Sequence, residues 1–328
     1  ILNHIMRPMR LDAERMEIST SMGIALMPED GTDAERLMQA ADLALYHAKL
    51  DGPGTLRFFD PAMTRDLANR REIEAELRLA IQRDELSLFY QPIVDLKTGH
   101  IRCFEALLRW FHPTKGELRP AEFIPVAEET GVIVTLGNWI TRQAALACAQ
   151  WPEDISVAVN LSPLQIRAPG AVLAIKQALR DAKLDPHRLE LEVTESLFIQ
   201  DSEQTAEFIK ELAAEGVRFA LDDFGTGYSS LSYIHKFPFS KIKVDRCFVS
   251  GDDVGPRAHA IIRAVAEMGR GLDMEIVAEG LEEQEQVETV RDAGCTLGQG
   301  YFFSRAVPDY LAAMLLAQDR EGDGLRAA

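Results

Sequence analysis

Acidic and carboxamide side chains recur where apolar runs end. The run 155–159 stops at Asn160, the run 189–194 carries Glu192 with Glu195 just beyond it, and 217–221 stops at Asp222 and Asp223. In the same way 242–244 stops at Asp245 and 276–278 at Glu279. One acid at such a place is ordinarily a helix N-cap or a solvated loop charge. Five strand ends delivering such groups to one place would be self-repelling without cations, and oxygen donors without Cys or His select Mg2+ or Mn2+ over zinc. Neighbours at a strand end point different ways, so Asp222 can bridge two metals while Asp223 binds mainly one, at the ~3.5–4 Å spacing of two-metal phosphoryl chemistry. Lys243 lies two residues before Asp245 and shares its strand face. An inward lysine among acids is either a counter-ion or a group that orients an attacking water. The glycine-containing stretch 224–230 can approach a ligand, move as a lid or be an ordinary turn.

These ends meet only if the strands are neighbours in one closed sheet. From Leu86 onward, short β-type runs alternate with longer helical ones. The strand candidates are 86–96, 101–110, 155–161, 189–194, 217–221, 241–244, 275–278 and 298–303. Eight strands predict an α/β chain built as a (β/α)8 barrel, whose usual size is ~250 residues and whose strand C-termini converge on one face. Only Lys97-Thr98-Gly99-His100 separates the first two. That is hairpin length, so the first strand runs antiparallel, since a parallel pair needs a crossover of a dozen or more residues. Ahead of the barrel, residues 16–27 alternate as a strand does, 33–50 carry apolar residues at helical spacing, Gly52-Pro53-Gly54 stops that helix and 55–59 read as a strand. About sixty residues are thin for an independent domain, so 1–60 reads as a fragment of a larger α/β unit. Residues 61–84, opening on Pro, read as an amphipathic linker helix, and 85–320 as the barrel.

Composition narrows the class of ligand. With 35 Lys and Arg against 52 Asp and Glu, the formal charge of −17 opposes extended nucleic acid, which usually needs a basic stripe. An anionic ligand would need local help, as from metal ions. Cys103, Cys148, Cys247 and Cys295 have no Cys-x-x-Cys spacing, which argues for a reducing compartment and a cytoplasmic location. The chain opens without Met in what reads as mid-domain, as a piece of a longer protein would, with room upstream for a membrane anchor.

Glu105-Ala106-Leu107 stands within Phe104–Trp110 and resembles the signature of the EAL-domain cyclic di-GMP phosphodiesterases. The likeness runs in order through Tyr90-Gln-Pro-Ile93, Pro120-Ala-Glu-Phe-Ile-Pro, Val159-Asn-Leu-Ser162, Glu190-Leu-Glu-Val-Thr-Glu-Ser196, Leu221-Asp-Asp-Phe-Gly, Lys243-Val-Asp245, Val277-Ala-Glu-Gly-Leu281 and Gln299-Gly-Tyr301. It implies a modified TIM barrel with an antiparallel first strand, two divalent cations (Mg2+ or Mn2+) and hydrolysis of cyclic di-GMP to linear pGpG. Carried onto this sequence, Glu105, Asn160, Glu192 and Asp222 hold one metal, and Asp222, Asp223 and Glu279 the second. Lys243 binds or polarises the attacking water, and Glu279 is the other candidate for its deprotonation. Gln91, Leu107 and Arg109 contact the dinucleotide, Arg109 at phosphate. Glu195 braces the Asp-Asp-Phe-Gly loop, which Asp245 also supports, and Glu282, Gln299 and Tyr301 match rim or supporting positions of the substrate site. The resemblance further implies a homodimer through the barrel. Separately, Ser21–Ala25, Ala40–Lys49 and Phe58-Phe59-Asp60 resemble the C-terminal third of a GGDEF (diguanylate cyclase) domain without its signature loop, with Gly52-Pro53-Gly54 in place of the usual ending; other GGDEF and sensor segments are expected upstream. The reading weighed against an enzyme is a catalytically silent cyclic di-GMP receptor, which loss of a ligand, the lysine or the loop sequence would signal.

Overall fold

The computed structural model describes residues 18–195, 197, 202–225, 231–249 and 255–322, together with 5, 9–11 and 14–16. It divides into two units, Ile1–Glu76 and Leu77–Ala328.

In the first unit β1 (Met9–Leu11) and β2 (Glu14–Met16) form a hairpin, while β3 (Met22–Ile24) pairs in parallel with β4 (Leu56–Phe58). The crossover between β3 and β4 is α1 (Ala34–Leu50). It starts where Asp33 accepts from the Arg36 N–H, one of the donors a helix N-terminus leaves unpaired. It buries Ala40, Ala44 and Ala48, four residues apart on one stripe. The helix α2 (Pro61–Ala80) follows, with Pro at its first position.

The second unit is a closed barrel. Its strands are β5 (Leu86–Asp95), β6 (Ile101–His112), β8 (Ser156–Asn160), β9 (Leu189–Thr194), β10 (Arg218–Phe224), β11 (Lys241–Val244), β12 (Glu275–Ala278) and β13 (Leu297–Gln299). The order β5-β13-β12-β11-β10-β9-β8-β6 closes through β6 onto β5. β5 is antiparallel to both neighbours and every other barrel pairing is parallel. The fold is thus the α/β barrel with a reversed first strand that the hairpin spacing predicts. Short β7 (Gly116–Leu118) and β14 (Val307–Pro308) extend β6 and β5. Helices surround the barrel: α3 (Pro120–Glu129), α4 (Val132–Cys148), α5 (Pro163–Arg167), α6 (Ala171–Ala182), α7 (Ser202–Ala214), α8 (Leu231–Lys236), α9 (Pro256–Gly271), α10 (Gln284–Ala293) and α11 (Asp309–Glu321). No helix among the described residues is long and apolar enough to cross a membrane.

Among the described residues, the strand expected over 16–27 is limited to Met22–Ile24 beyond the end of β2 at Met16, and in the barrel two strand ends differ from the sequence reading by three residues or more. β13 stops at Gln299 rather than running to 303, because Gly300 lies against the backbone of Leu281, where a Cβ would sit 2.0 Å from its carbonyl oxygen. The chain turns there, with the Phe302 N–H donating to Leu281 O. β10 continues through Asp222-Asp223 to Phe224 by way of a bulge.

Strand side chains alternate, so residues two apart share the barrel interior. Ile93, Cys103, Ala158, Val277 and Leu297 form one buried apolar cluster there. One step further toward the strand C-termini, Cys103 is followed by Glu105, Ala158 by Asn160, Val277 by Glu279 and Leu297 by Gln299. The interior therefore passes from apolar to polar along its axis at the end where the functional side chains lie.

Candidate active site

Lys243 is the hub of this end. It is 1% exposed, and its Nζ lies 2.8 Å from Glu279 Oε1, 3.0 Å from Glu192 Oε2, 3.2 Å from Asp222 Oδ1 and 3.5 Å from Glu105 Oε2. Glu105 is gripped from both sides: Asn160 Nδ2 donates to its Oε1 at 2.7 Å and Gln299 Nε2 to its Oε2 at 2.6 Å. The same Gln299 amide reaches Gln91 Oε1 at 3.3 Å, and Gln91 Nε2 donates to Ser304 O. A chain of carboxamides thus fixes the signature glutamate.

Two adjacent aspartates on a regular strand would face opposite sides. The bulge between Leu221 and Phe224, with Asp223 in the left-handed region at φ 54°, turns both into the site. Oxygens of Asp222, Asp223 and Glu279 lie within 4.8 Å of one another. Just beyond, the Gly225 N–H donates to Glu195 Oε1 at 2.9 Å. Gly225 has φ +99° and a Cβ there would sit 2.6 Å from the Phe248 ring, so only glycine fits. The rest of the glycine stretch, 226–230, and Ser196 lie outside the described residues.

Burial and crowding set the ionisation of these groups. Burial favours a neutral Lys243, but Glu105, Glu192, Glu279 and Asp222 outweigh it and hold the ammonium charged far above its ordinary range. Glu192 is pushed well up by burial, which Lys243 opposes and Glu105 and Asp222 reinforce. Burial likewise lifts Glu279 to about 7, against Lys243 and with help from Asp222 and Glu105. Asp223 is raised by burial and by the neighbouring Asp222 and Asp245. Burial would raise Glu105 too, yet the Lys243 charge and the Gln299 and Asn160 hydrogen bonds hold it below the usual carboxylate range.

Glu105, Asp222, Asp223, Lys243 and Glu279 floor an open cleft of about 710 Å³, whose lining includes neither Asn160 nor the buried Glu192. Its walls bring together Gln91, Leu107, Asp245, Glu282, Gln299 and Tyr301, and Gly280, Gly300, Arg246 and Cys247 join them without having been singled out from sequence. Arg246 and Cys247 follow Asp245 directly, and an acid ending a strand was a signal that its successors face the same rim. Asp245 also caps the short turn Arg246–Phe248, accepting from the Cys247 N–H at 2.9 Å. Arg109 is engaged away from the cleft lining: its Nε lies 3.5 Å from Glu117 Oε1 and its guanidinium 5.5 Å from the Phe89 ring centroid.

The donor set fits hard divalent cations. Glu192 Oε1 and Asp222 Oδ1 are buried without a hydrogen-bond donor among the described residues, Lys243 lying near the latter but off hydrogen-bond geometry. Buried acceptors left unpaired are costly. A cation of the Mg2+ or Mn2+ type satisfies such oxygens, and neither Cys nor His is part of the carboxylate triad.

Residues 74–306 match the EAL domain family, and 1–55 match the GGDEF domain of diguanylate cyclases. The chain belongs to the EAL-domain family. It is 39% identical to the bifunctional diguanylate cyclase/cyclic di-GMP phosphodiesterase MucR of Pseudomonas aeruginosa, over 97% of this chain and 46% of that protein. It is 43% identical to a signaling protein of Caulobacter vibrioides, over 94% of this chain and 38% of that one. The solved c-di-GMP complex of the PaMucR phosphodiesterase superposes with a TM-score of 0.71 at 39% identity, covering 74% of this chain and 99% of the other. The chain spans less than half the length of the curated relatives it matches.

Proposed function

We propose that the chain is a metal-dependent phosphodiesterase that opens cyclic di-GMP to linear pGpG within a longer signalling protein. The observation that carries the reading is the complete set of acids around one lysine, at the C-terminal end of an EAL-family barrel. The likeness to a barrel solved with c-di-GMP supports the choice of substrate. With all groups ionised, the carboxylates of Glu105, Glu192, Asp222, Asp223 and Glu279 against one ammonium leave four negative charges, which two divalent cations cancel. That balance lets an acidic chain accept an anionic dinucleotide.

Glu105, Asn160, Glu192 and Asp222 would hold one cation, and Asp222, Asp223 and Glu279 the other. When bound, such a pair supplies Lewis acidity, easing ionisation of water and offsetting charge at phosphorus. Lys243, surrounded by four carboxylates, would work as a hydrogen-bond donor, orienting the water and stabilising the phosphoryl oxygens. Glu279, which lines the cleft with an oxygen 2.8 Å from Lys243 Nζ, is the other group placed to take the water's proton. Gln299 and Gln91 keep Glu105 aimed at the reacting centre, and Tyr301 and Glu282 line the mouth where a guanine enters. Mg2+ or Mn2+ are the cations proposed, the cytoplasm is the compartment, and a homodimer through the barrel is checked by light scattering.

Incubation with cyclic di-GMP and Mn2+ or Mg2+, followed by chromatography, is expected to yield pGpG. Glu105→Ala is expected to abolish the product. Binding of cyclic di-GMP without turnover in either metal would make the chain a receptor instead.

A further inference from the structure

Beneath the active site lies a second ion pair that the reaction does not use. Lys241 Nζ and Glu190 Oε1 are 2.6 Å apart, with side chains 3% and 1% exposed. Both sit exactly one alternation below the functional pair, since Lys241 precedes Lys243 by two residues on β11 and Glu190 precedes Glu192 by two on β9. Two Lys–Glu bridges, at 2.6 and 3.0 Å, therefore join the same two strands through the barrel interior. Those strands share no backbone hydrogen bonds, because β10 stands between them. On β10 the small, fully buried Ala220 is the register partner of Lys241 on one side and of Glu192 on the other.

The surroundings make the pair unexpected. Ile93, Cys103, Ala158, Val277 and Leu297 form one apolar cluster in the interior, which barrels ordinarily fill with branched apolar residues; Glu275, the register partner of Lys241 on β12, is a further acid acting on the lysine. Moving two charges into such a place carries a desolvation penalty that their attraction seldom exceeds, and well-packed apolar replacements of both partners are often neutral or stabilising. Stability therefore does not account for it. Register does: a directional, short bond fixes the relative height of β9 and β11, which a set of interchangeable methyl groups does not.

We infer that Lys241 and Glu190 are positioning residues that lock β9 against β11 and so hold Glu192 and Lys243 at the height at which the cation site is assembled. The inference rests on reading Glu192 as a metal ligand. Outer residues that orient ligands typically alter metal affinity by 10–100-fold when changed.

The test is the paired variant Lys241→Met with Glu190→Leu, because Lys241→Met alone strands a buried carboxylate and can fail to fold. The paired variant is expected to melt at or above the wild-type temperature, to bind Mn2+ about tenfold more weakly by calorimetry, and to lose kcat on cyclic di-GMP with KM little changed. Wild-type Mn2+ affinity in a folded paired variant would overturn the inference. A sharply lowered melting temperature would overturn it too, since the pair would then hold the fold rather than the site. Because calorimetry needs no turnover, a wild-type chain that binds Mn2+ but leaves cyclic di-GMP intact would count against the phosphodiesterase reading alone.

Discussion

A lysine surrounded by four carboxylates is a commitment to one chemistry. In the cation-free protein the carboxylates hold its ammonium charged well above the ordinary range, against burial, which favours Lys243 as a group that orients and stabilises over one that abstracts a proton. Lys243→Met takes the counter-ion from four crowded carboxylates, so it is measured in Mn2+; there it is expected to keep the fold by circular dichroism and to lower kcat on cyclic di-GMP by about 10²–10³-fold, with a smaller change in KM. Glu279 predicts a pH dependence. Its carboxyl is raised to about 7 in the cation-free protein, so below that pH a cation must displace a proton to bind. Mn2+ affinity measured by calorimetry should therefore climb as pH rises toward about 7, with Glu192 and Asp223, also raised, adding to the climb, and the climb should be smaller in Glu279→Gln; an unchanged profile in that variant would show that Glu279 is no ligand. At this scale Glu192, Asp222 and Glu279 were legible because each stands at the end of an apolar run, whereas Glu105 was named only through the resemblance. The engagement of Lys243 with all four was not, because it depends on strands far apart in sequence meeting across the barrel.

Among the elements, β10 carries the least regular geometry and the most function. Its bulge turns Asp222 and Asp223 to one side, and Gly225 with Glu195 pins the exit. Gly225→Ala combines a positive φ with a clash on Phe248, and is expected to cost about 1–3 kcal/mol of stability, read as a lowered melting temperature, with activity falling further. Glu195→Ala removes the brace on the Gly225 N–H and should reduce turnover while moving the melting temperature little. The strands themselves followed from period-two alternation and their apolar content, and the hairpin Lys97–His100 announced the reversed first strand. The bulge did not follow, since Asp-Asp reads the same in a regular strand end, and β13 was read too long because the packing of Gly300 on Leu281 is a tertiary contact. The pairs Glu190/Glu192 and Lys241/Lys243 were visible as charges two apart on predicted strands, a period-two signal that the apolar pattern of the same strands concealed.

For the whole molecule, the net charge of −17 is partly a working feature. Charge gathered at one end of a closed barrel is tolerated where backbone pairing leaves no edge to yield and where cations complete the balance. Divalent cations should stabilise the folded state by mass action, by about 2.7 kcal/mol at one hundred times the dissociation constant. The melting temperature should rise with Mn2+ and fall back with chelator, and a matched concentration of monovalent salt should not reproduce the rise. The central claim is that this acidic floor holds two cations. Diffraction at the manganese edge from crystals soaked in Mn2+ tests it most directly: two anomalous peaks between Glu105 and Asp223, both touching Asp222, are predicted, and a single peak or none within the cluster would contradict the account.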